Sequence, residues 1–393
     1  MTTQALPFSD SASPYGTPDT RYASWRQARN LLVVRLDSLG DVLMTTPAIH
    51  AIKRSSPGLR VTLLGSRSGT AMARHVPAID EVIAYEAPWI KGAPSQAGGI
   101  DRRLLGTIGR QGFDAAVIFT SCTQSALPAA LMCRLAGIPL RLAHCRENPY
   151  DLLTDWVPDA DVCREGMRHE VTRQLDLVRS VGYHADSERL VFRYAASDVL
   201  SMRRKFVAAG GELMRPYVVV HPGATAASRR YPAERFGSAA ERICRDSGCQ
   251  AVFTGGQGEQ ALVERARGTM RESSLSLAGQ LTLGELAALI AGAQVTVCNN
   301  SGPAHISAAL GVPVVALYAL THPQHAPWKV KARVLNHDVP CRNCMKAACP
   351  EMQHGCLLKV EAQAVADAAL ELIDMPPAML RAPTPRPALM AMG

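Results

Sequence analysis

The sequence predicts an α/β protein with two doubly wound, Rossmann-like domains that face each other across a central cleft. Short apolar runs rich in β-branched residues alternate with helical segments along the 393 residues, and this alternation is typical of parallel sheets. The pattern becomes irregular after about residue 182 and resumes at residue 217, which indicates two sheets. Hydrophobic residues make up 47% of the chain, enough to fill more than one core.

The first series begins with a short apolar strand at residues 31–36, assigned from its length and β-branching. A turn at residues 38–40 leads into the first helix. The remaining strands of this series are predicted at 60–65, 81–86, 114–119 and 140–145, with helices at 41–54, 124–136 and 165–182.

The second series repeats the alternation of strand and helix. Strands are predicted at 217–221, 250–254, 295–299 and 313–320, and helices at 232–247, 257–270, 282–292 and 301–310. We therefore expect a first domain over residues 30–200 and a second over residues 215–375. Residues 1–29 and 376–393 are rich in Pro or in Ser and Thr without an apolar period, and we expect a disordered leader and a disordered tail.

The net charge of +8 favours anionic partners. The basic residues are scattered and aromatic residues make up only 5%, which argues against nucleic-acid binding. No apolar run approaches the roughly 18 residues that a membrane-spanning helix requires, and the first thirty residues lack the apolar core of a secretory signal. The sequence thus predicts a soluble cytoplasmic protein.

Asp41 is the candidate catalytic residue in the first domain. It lies just after the first strand, in the segment Arg35-Leu36-Asp37-Ser38-Leu39-Gly40-Asp41, at the strand end that faces the predicted cleft. A carboxylate there can take a proton from a hydroxyl group. The alternative is structural: Asp37 or Ser38 caps the helix, and Asp41 complements its dipole.

Two loops of the second domain have the residues of a nucleotide site. Thr225, Ser228 and Arg229 follow the strand at 217–221, where a hydroxyl, a cation and a helix N-terminus can hold a diphosphate. Gln257 and Glu259 follow the next strand in a glycine-rich turn and can hold ribose hydroxyls. A solvated basic pair and a plain glycine turn are the structural alternatives.

A third segment, Asn299-Asn300-Ser301-Gly302-Pro303-Ala304-His305, stands at another strand end. Asn300 or Ser301 can cap the helix that follows, which leaves backbone N–H groups directed at the cleft. Such a helix N-terminus suits phosphate binding, and His305 would lie one turn further on. The alternative is a capped helix with a packed histidine.

Four cysteines lie close together near the C-terminus. Cys341, Cys344, Cys349 and Cys356 have the density of a metal site, with His354 nearby. Their spacing does not match a two-knuckle zinc pattern, and we expect reduced thiols in a loop, with metal or cluster binding as the alternative.

Taken together, these segments resemble those of glycosyltransferase family nine, the ADP-heptose:lipopolysaccharide heptosyltransferases. RLDSLGDVLMTTPAIHAIK resembles the family's N-terminal signature. HPGATAASRRYPAERF, FTGGQGE, LAGQLTLGELAALIAGA, NNSGPAHISAALGVPVVALY and CRNCMKAACPEMQHGCL follow in the family's order. The resemblance extends from about residue 31 to residue 373.

The resemblance implies a GT-B fold, with an acceptor-side first domain and a donor-binding second domain, and transfer with inversion at the sugar. It implies that Asp41 is the catalytic base, that no cofactor is required and that the donor is ADP-heptose. Thr225, Ser228, Arg229, Gln257, Glu259, Asn300, Ser301, Gly302 and His305 would bind that donor. The acceptor would be a glycolipid of the lipopolysaccharide core or a related glycan, which would bring the protein to the inner face of the inner membrane.

The chain departs from the family pattern at two positions that bear on the donor. Arg229 stands where members usually have lysine, and Asn300 stands where many have aspartate. Arginine keeps the charge but presents a planar fork, and asparagine removes a negative charge beside the leaving group. Three alternatives therefore remain open: another nucleotide sugar, a protein or natural-product acceptor, and a non-catalytic sugar-nucleotide or metal-binding protein.

Overall fold

Two six-stranded parallel sheets form the frame of the protein. The computed structural model describes residues 18–90, 99–121, 123–159, 168–319, 323–341, 343–344, 346–349 and 354–374. The sheets have strand orders β3-β2-β1-β4-β5-β6 and β12-β11-β10-β7-β8-β9, and every strand pair is parallel. Both orders are that of the dinucleotide-binding fold, so the predicted pair of doubly wound domains is confirmed.

The first domain contains the first of these sheets and the helices beside it. Its elements are α1 (Pro18–Gln27), β1 (Asn30–Arg35), α2 (Leu39–Ser55), β2 (Arg60–Gly65), α3 (Arg67–Thr70), β3 (Glu81–Ala84), α4 (Gly99–Gln111), β4 (Ala115–Ile118), α5 (Leu127–Leu135), β5 (Leu140–Cys145), β6 (Asp155–Pro158) and α6 (Glu170–Arg179).

The second domain contains the other sheet. Its elements are α7 (Ala196–Ala208), β7 (Tyr217–His221), α8 (Ala233–Ser247), β8 (Gln250–Phe253), α9 (Gln260–Arg267), β9 (Ser274–Ser276), α10 (Leu283–Ala291), β10 (Thr296–Asn299), α11 (Gly302–Leu310), β11 (Val314–Leu317), β12 (Ala332–Leu335), α12 (Gly355–Leu358) and α13 (Ala362–Asp374). Short 3₁₀ turns lie at Ala73–His75, Tyr150–Leu152, Ala227–Arg229 and Pro323–His325.

The central strands are apolar on both faces because helices cover both sides of each sheet. Strand β4 is buried throughout and β1 is buried after its first residue. One apolar cluster continues from the first domain into the second, from Met44 and Ile49 on α2 to Ile306 on α11. The contact between α2 and α11 therefore brings the first turns of two helices, one from each domain, to the same place.

The prediction of a disordered leader over residues 1–29 is wrong for residues 18–27. Residues 18–27 form α1, and the side chain of Trp25 is fully buried. The Trp25 indole N–H donates to Asp155 on β6 (3.1 Å), and the Tyr183 hydroxyl donates to the Trp25 carbonyl (3.0 Å). The sequence has no apolar period here because one large side chain, rather than a stripe, anchors the helix. Residues 1–17 and the predicted tail at 376–393 lie outside the described residues.

The predicted end of the first domain at residue 200 falls inside α7, which is also missing from the predicted elements. This helix packs against α10 of the second domain. Lys205 on α7 donates to the Glu285 carboxylate on α10 at 2.7 Å, which ties α7 to the second sheet. The boundary therefore lies before Ala196, within the segment that joins α6 to α7.

None of the helices among the described residues is both long and apolar enough to cross a bilayer.

Replacement of Trp25 by Ala should lower the free energy of unfolding by about 3–5 kcal/mol, since it leaves a large cavity and removes a hydrogen-bond donor from the Asp155 carboxylate. Chemical denaturation measures this change. Trp156→Ala on the same edge strand is the matched control, because that indole is 41% exposed. Equal losses for the two variants would contradict an anchoring role for Trp25.

Candidate active site

Asp41 is held at the first turn of α2 by its own N-cap residue. Its Oδ2 accepts hydrogen bonds from the Ser38 backbone N–H (3.1 Å) and the Ser38 hydroxyl (2.6 Å). This is the capping arrangement that was the structural alternative. The Asp41 side chain nevertheless remains 21% exposed, and its Oδ1 is directed away from the cap. The carboxylate can thus stabilise the helix through one oxygen and serve chemistry through the other.

A fully buried arginine at the end of β1 lies beside this carboxylate. The Arg35 guanidinium is 3.4 Å from Asp41 Oδ1, 3.3 Å from Asp37 Oδ2 and 3.8 Å from Glu170 Oε1. Burial alone would raise the pKa of Asp41, but Arg35, His325, the Ser38 hydrogen bond and His305 together hold that pKa below its usual range. Burial raises the pKa of Asp37, and the nearby Asp41 adds to this effect.

Behind Arg35 lies a second layer of buried charge that the sequence analysis missed. The Glu170 carboxylate, at the start of α6, accepts from Arg173 at 3.2 Å and from Gln174 at 2.5 Å. Arg173 also donates to both oxygens of Asp159, at 3.2 and 2.9 Å. The spacing of Glu170, Arg173 and Gln174 at i, i+3 and i+4 was the available signal, because it puts three polar side chains on one face of α6.

The first turn of α11 faces Asp41 from the second domain. An ideal Cβ at Gly40 would lie 2.9 Å from His305 Cδ2, and one at Gly302 would lie 3.2 Å from Leu39 Cδ2. Ser301 stands at the N-cap position, and its hydroxyl donates to the Asn299 carbonyl at 3.2 Å. The structure therefore brings His305 and Asp41 together. At the first turn of α11 it leaves the Gly302 N–H available to a ligand, since Pro303 has no N–H and the Ala304 N–H donates to the Ser301 carbonyl at 3.1 Å.

Asn299 and Asn300 have different positions at this strand end. Asn299, to which the sequence analysis gave no role of its own, is fully buried. Its amide donates to the Pro222 carbonyl at 2.7 Å and accepts from the Tyr231 N–H at 3.0 Å, so it fixes the loop after β7. Asn300 is also buried, and its backbone N–H donates to the Leu317 carbonyl at 2.9 Å.

The loop after β7 places Arg229 toward the cleft and Ser228 away from it. Arg229 is half-buried and close enough to His305 to lower the pKa of that imidazole further, although burial is the main cause. The Ser228 hydroxyl is instead within 2.9 and 2.8 Å of the Lys346 and Ala347 carbonyls. It therefore ties this loop to the cysteine segment, residues 341–356, which contains the four clustered cysteines. Thr225, earlier in the same loop, is exposed.

The glycine-rich turn after β8 is closed by Glu259. Its Oε2 accepts from the Gly256 N–H at 2.7 Å and lies 3.9 Å from His221 Nε2. A Cβ at Gly223 would overlap the Glu259 carboxylate, so the lack of a side chain at residue 223 makes room for this group. Gln257 is exposed at the tip of the turn.

The segment that joins β11 to β12 crosses from the second domain to the first. His169, the N-cap residue of α6, accepts from the Val171 N–H at 3.1 Å through Nδ1, and its Nε2 lies 2.9 Å from the Ala326 carbonyl. The His169 ring packs against Trp328, with centroids 4.2 Å apart. The Trp328 indole N–H donates to the Glu188 carbonyl at 2.7 Å. We call residues 323–329 the crossing segment.

The crossing segment also brings His325 and Gln324 to the buried charges. Gln324 lies 3.4 Å from Glu170, and His325 is close enough to Glu170 and Asp41 for both carboxylates to affect its pKa, which burial lowers overall. Neither residue was singled out from the sequence, because the sequence alone does not show that residues so far along the chain lie close to β1 in the fold.

The four cysteines are partly buried free thiols. Within the described ranges, no group of three or more His, Cys, Asp and Glu side chains has the arrangement of a metal site. The positions of Cys341, Cys344, Cys349 and Cys356 therefore give no support to the metal alternative.

Buried neutral histidines should make the protein less stable in mild acid. Burial lowers the pKa of His169 to about 4, against about 6.5 in an unfolded chain. The unfolded state thus binds more protons between these values, and the free energy of unfolding should fall as the pH drops from 6.5 to 4.

The variant His169→Asn keeps an N-cap acceptor but cannot titrate. It should reduce the pH dependence by about 1–3 kcal/mol across that window. Urea denaturation at pH 7.0, 5.5 and 4.5 measures the effect, with the exposed His184→Asn as control. A pH dependence that is unchanged in His169→Asn would contradict this account.

Comparisons with known proteins agree with this geometry. The sequence profile of glycosyltransferase family 9 (heptosyltransferase) matches residues 102–354. Lipooligosaccharide heptosyltransferase 2 of Campylobacter jejuni is 25% identical over 344 residues, which are 85% of this chain and 95% of that protein.

Two solved structures have the same two-domain fold. A glycosyltransferase family 9 protein from Veillonella parvula superimposes with a TM-score of 0.71 at 21% identity, over 88% of this chain and 97% of that one. The ADP-heptose lipopolysaccharide heptosyltransferase II of E. coli gives a TM-score of 0.67 at 21% identity, over 88% and 98% of the two chains. The GT-B fold implied by the sequence is confirmed.

Proposed function

Because the chain belongs to glycosyltransferase family 9, the heptosyltransferases, we propose that it transfers a heptose from ADP-heptose to an acceptor hydroxyl with inversion, and that Asp41 is the base. One observation carries the proposal. An ionised carboxylate on the first domain faces a helix N-terminus and a histidine of the second domain across a closed cleft. A base and an anion site on opposite walls are what transfer from a nucleotide diphosphate sugar requires.

The acceptor hydroxyl would bind beside Asp41 Oδ1. That carboxylate takes the proton as the acceptor oxygen attacks the anomeric carbon from the side opposite the nucleotide. The bond from that carbon to the diphosphate oxygen breaks, and its electron pair leaves with ADP. Arg35 and Ser38 keep Asp41 ionised before the reaction, so it is ready to accept a proton at neutral pH.

The departing diphosphate would bind at the first turn of α11. The Gly302 backbone N–H, the Arg229 guanidinium and the His305 imidazole converge there. These groups are held in place before the reaction, and fixed dipoles and charges stabilise a developing anion more than mobile water does. Asn300 lies beside this turn and would contact the sugar or the phosphate.

The nucleoside would lie along the loops after β7 and β8. We assign Thr225, Gln257 and Glu259 to its ribose and adjoining phosphate, because all three lie on loops at the carboxyl ends of these strands. We assign Ser228 to this site only indirectly: its hydroxyl holds the Arg229 loop against the cysteine segment.

The acceptor would bind the first domain, and the names of the relatives favour a lipopolysaccharide or lipooligosaccharide core. The net charge of +8 suits such an anionic glycolipid at the cytoplasmic face of the inner membrane.

Arg229 and Asn300 favour a second candidate, the same chemistry with a different nucleotide sugar, because both departures from the family pattern fall in the anion site.

The choice of donor can be tested by ligand-induced stabilisation. ADP-heptose, and ADP alone, should raise the melting temperature by about 2–6 °C at saturation, whereas GDP-mannose and UDP-glucose should not. Differential scanning fluorimetry measures the change. Arg229→Ala should reduce it, and Arg245→Ala, an exposed arginine on α8, is the control. Stabilisation by UDP-glucose or GDP-mannose but not by ADP would support the second candidate.

The role of Asp41 can be tested with two substitutions. Asp41→Asn should lower kcat by about 100- to 10,000-fold and leave ADP binding intact, because the amide oxygen can still accept from the Ser38 N–H. Asp41→Ala should lose both catalysis and the cap. Turnover assays and calorimetric ADP titrations measure these effects, with Asp186→Asn as an exposed control. Normal turnover in Asp41→Asn would remove Asp41 from this role.

A further inference from the structure

Three carboxylates share one buried guanidinium at the centre of the site. Arg35 is fully buried, and the carboxylates of Asp37, Asp41 and Glu170 all lie within 3.8 Å of it. Glu170 has a second cation in Arg173, at 3.2 Å. Asp37 and Asp41 must therefore divide the charge of Arg35 between them.

The pairing leaves a surplus of negative charge beside Asp41. Three arginines, Arg35, Arg173 and Arg146, face four carboxylates, those of Asp37, Asp41, Asp159 and Glu170. His305 and His325 of the second domain lie close enough to Asp41 to affect its pKa. His169 of the first domain and Arg229 of the second lie beside His305 in turn. Burial lowers the pKa of all three histidines, so they are neutral at pH 7.

We propose that Arg35 and Asp37 are positioning residues that act on Asp41 in opposite directions. Arg35 keeps the Asp41 carboxylate ionised in the substrate-free enzyme. Asp37 supplies the neighbouring negative charge that makes Asp41 a strong enough base to accept the acceptor proton.

The guanidinium is suited to this role because charge, more than directed hydrogen bonding, holds it. Its Nη2 donates to the Ser121 hydroxyl at 3.2 Å. Within the described part of the chain, its Nε and Nη1 make no hydrogen bond, although both are buried. Nε nevertheless lies 3.3 Å from Asp37 Oδ2, so its contact with that carboxylate is an ion pair.

Asp37 has a partner that lets it keep its place whichever charge it carries. The Gln124 amide donates to Asp37 Oδ1 at 2.5 Å. Asp37 and Asp41 therefore form a coupled pair around Arg35, and their titration belongs to the pair. When Asp41 takes the acceptor proton, the repulsion between the two carboxylates is relieved, which favours the transfer.

This inference rests on the proposed role of Asp41, and pH–rate profiles test it separately. The profile of kcat/KM from pH 5 to 9 is measured for Arg35→Gln, Asp37→Asn and the double variant. Arg54→Gln is the control, since Arg54 lies at the other end of α2 in an exposed ion pair.

In Arg35→Gln, the pKa of Asp41 should rise. Activity on the acid side of the profile should then fall by up to about tenfold for each pH unit below that pKa, and it should recover at higher pH. Asp37→Asn alone should lower kcat most at the high end of this pH range. Burial raises the pKa of Asp37, and Asp37 makes Asp41 a stronger base only once it is ionised. In the double variant, the half-activity pH should return toward that of the wild type by about one pH unit. The control should follow the wild type.

A loss of activity in Arg35→Gln that is equal at every pH would overturn the proposal, as would a double variant with the half-activity pH of Arg35→Gln. If Arg35→Gln does not fold, Arg35→Lys keeps the charge without the fork and should show a smaller rise in half-activity pH, and a flat loss there also overturns the proposal. Full turnover in Asp41→Asn would instead refute the base itself.

Discussion

The active cleft depends on a close approach between two helix N-termini, one from each domain. The first turn of α2 meets the first turn of α11, and the missing side chain at Gly40 lets the His305 ring lie against the backbone. Both helix ends present the positive end of a dipole, and α11 adds the Gly302 backbone N–H. The two positive helix ends would repel each other unless negative charge lay between them. Asp41 supplies part of that charge in the resting protein, and a diphosphate would supply more.

The residues that the sequence identified are those whose roles follow from strand ends. Parallel strands carry their ligand groups at their carboxyl ends, so Asp41, Arg229 and His305 could be found by locating the strands that precede them. Glu170, His169 and His325 could not be found in this way. Their importance comes from burial beside Arg35 and from contacts between segments more than 100 residues apart, and one-dimensional periodicity contains no such information.

The two clear errors in the predicted organisation have one physical origin. Trp25 anchors α1 with a single buried ring. Helix α7 packs against α10 of the second domain through the ion pair between Lys205 and Glu285 and through apolar contacts. Both helices owe their stability to tertiary contacts more than to an amphipathic stripe. Ser228 shows the converse. Its place beside Arg229 in the sequence suggested a ligand, whereas its hydroxyl holds the loop itself in position.

The crossing segment at residues 323–329 belongs to the second domain by sequence and to both domains by contact. Trp328 is held by the Glu188 carbonyl and lies against His169, and Gln324 reaches Glu170. The two Rossmann-like domains therefore cannot be exchanged independently between relatives. A chimera that joins this acceptor side to the donor side of a relative would inherit a foreign crossing segment, and that segment would have to match α6 before the hybrid could close. Recombination within such a family should therefore keep α6 and the β11–β12 connection together, as a unit of inheritance that spans both domains.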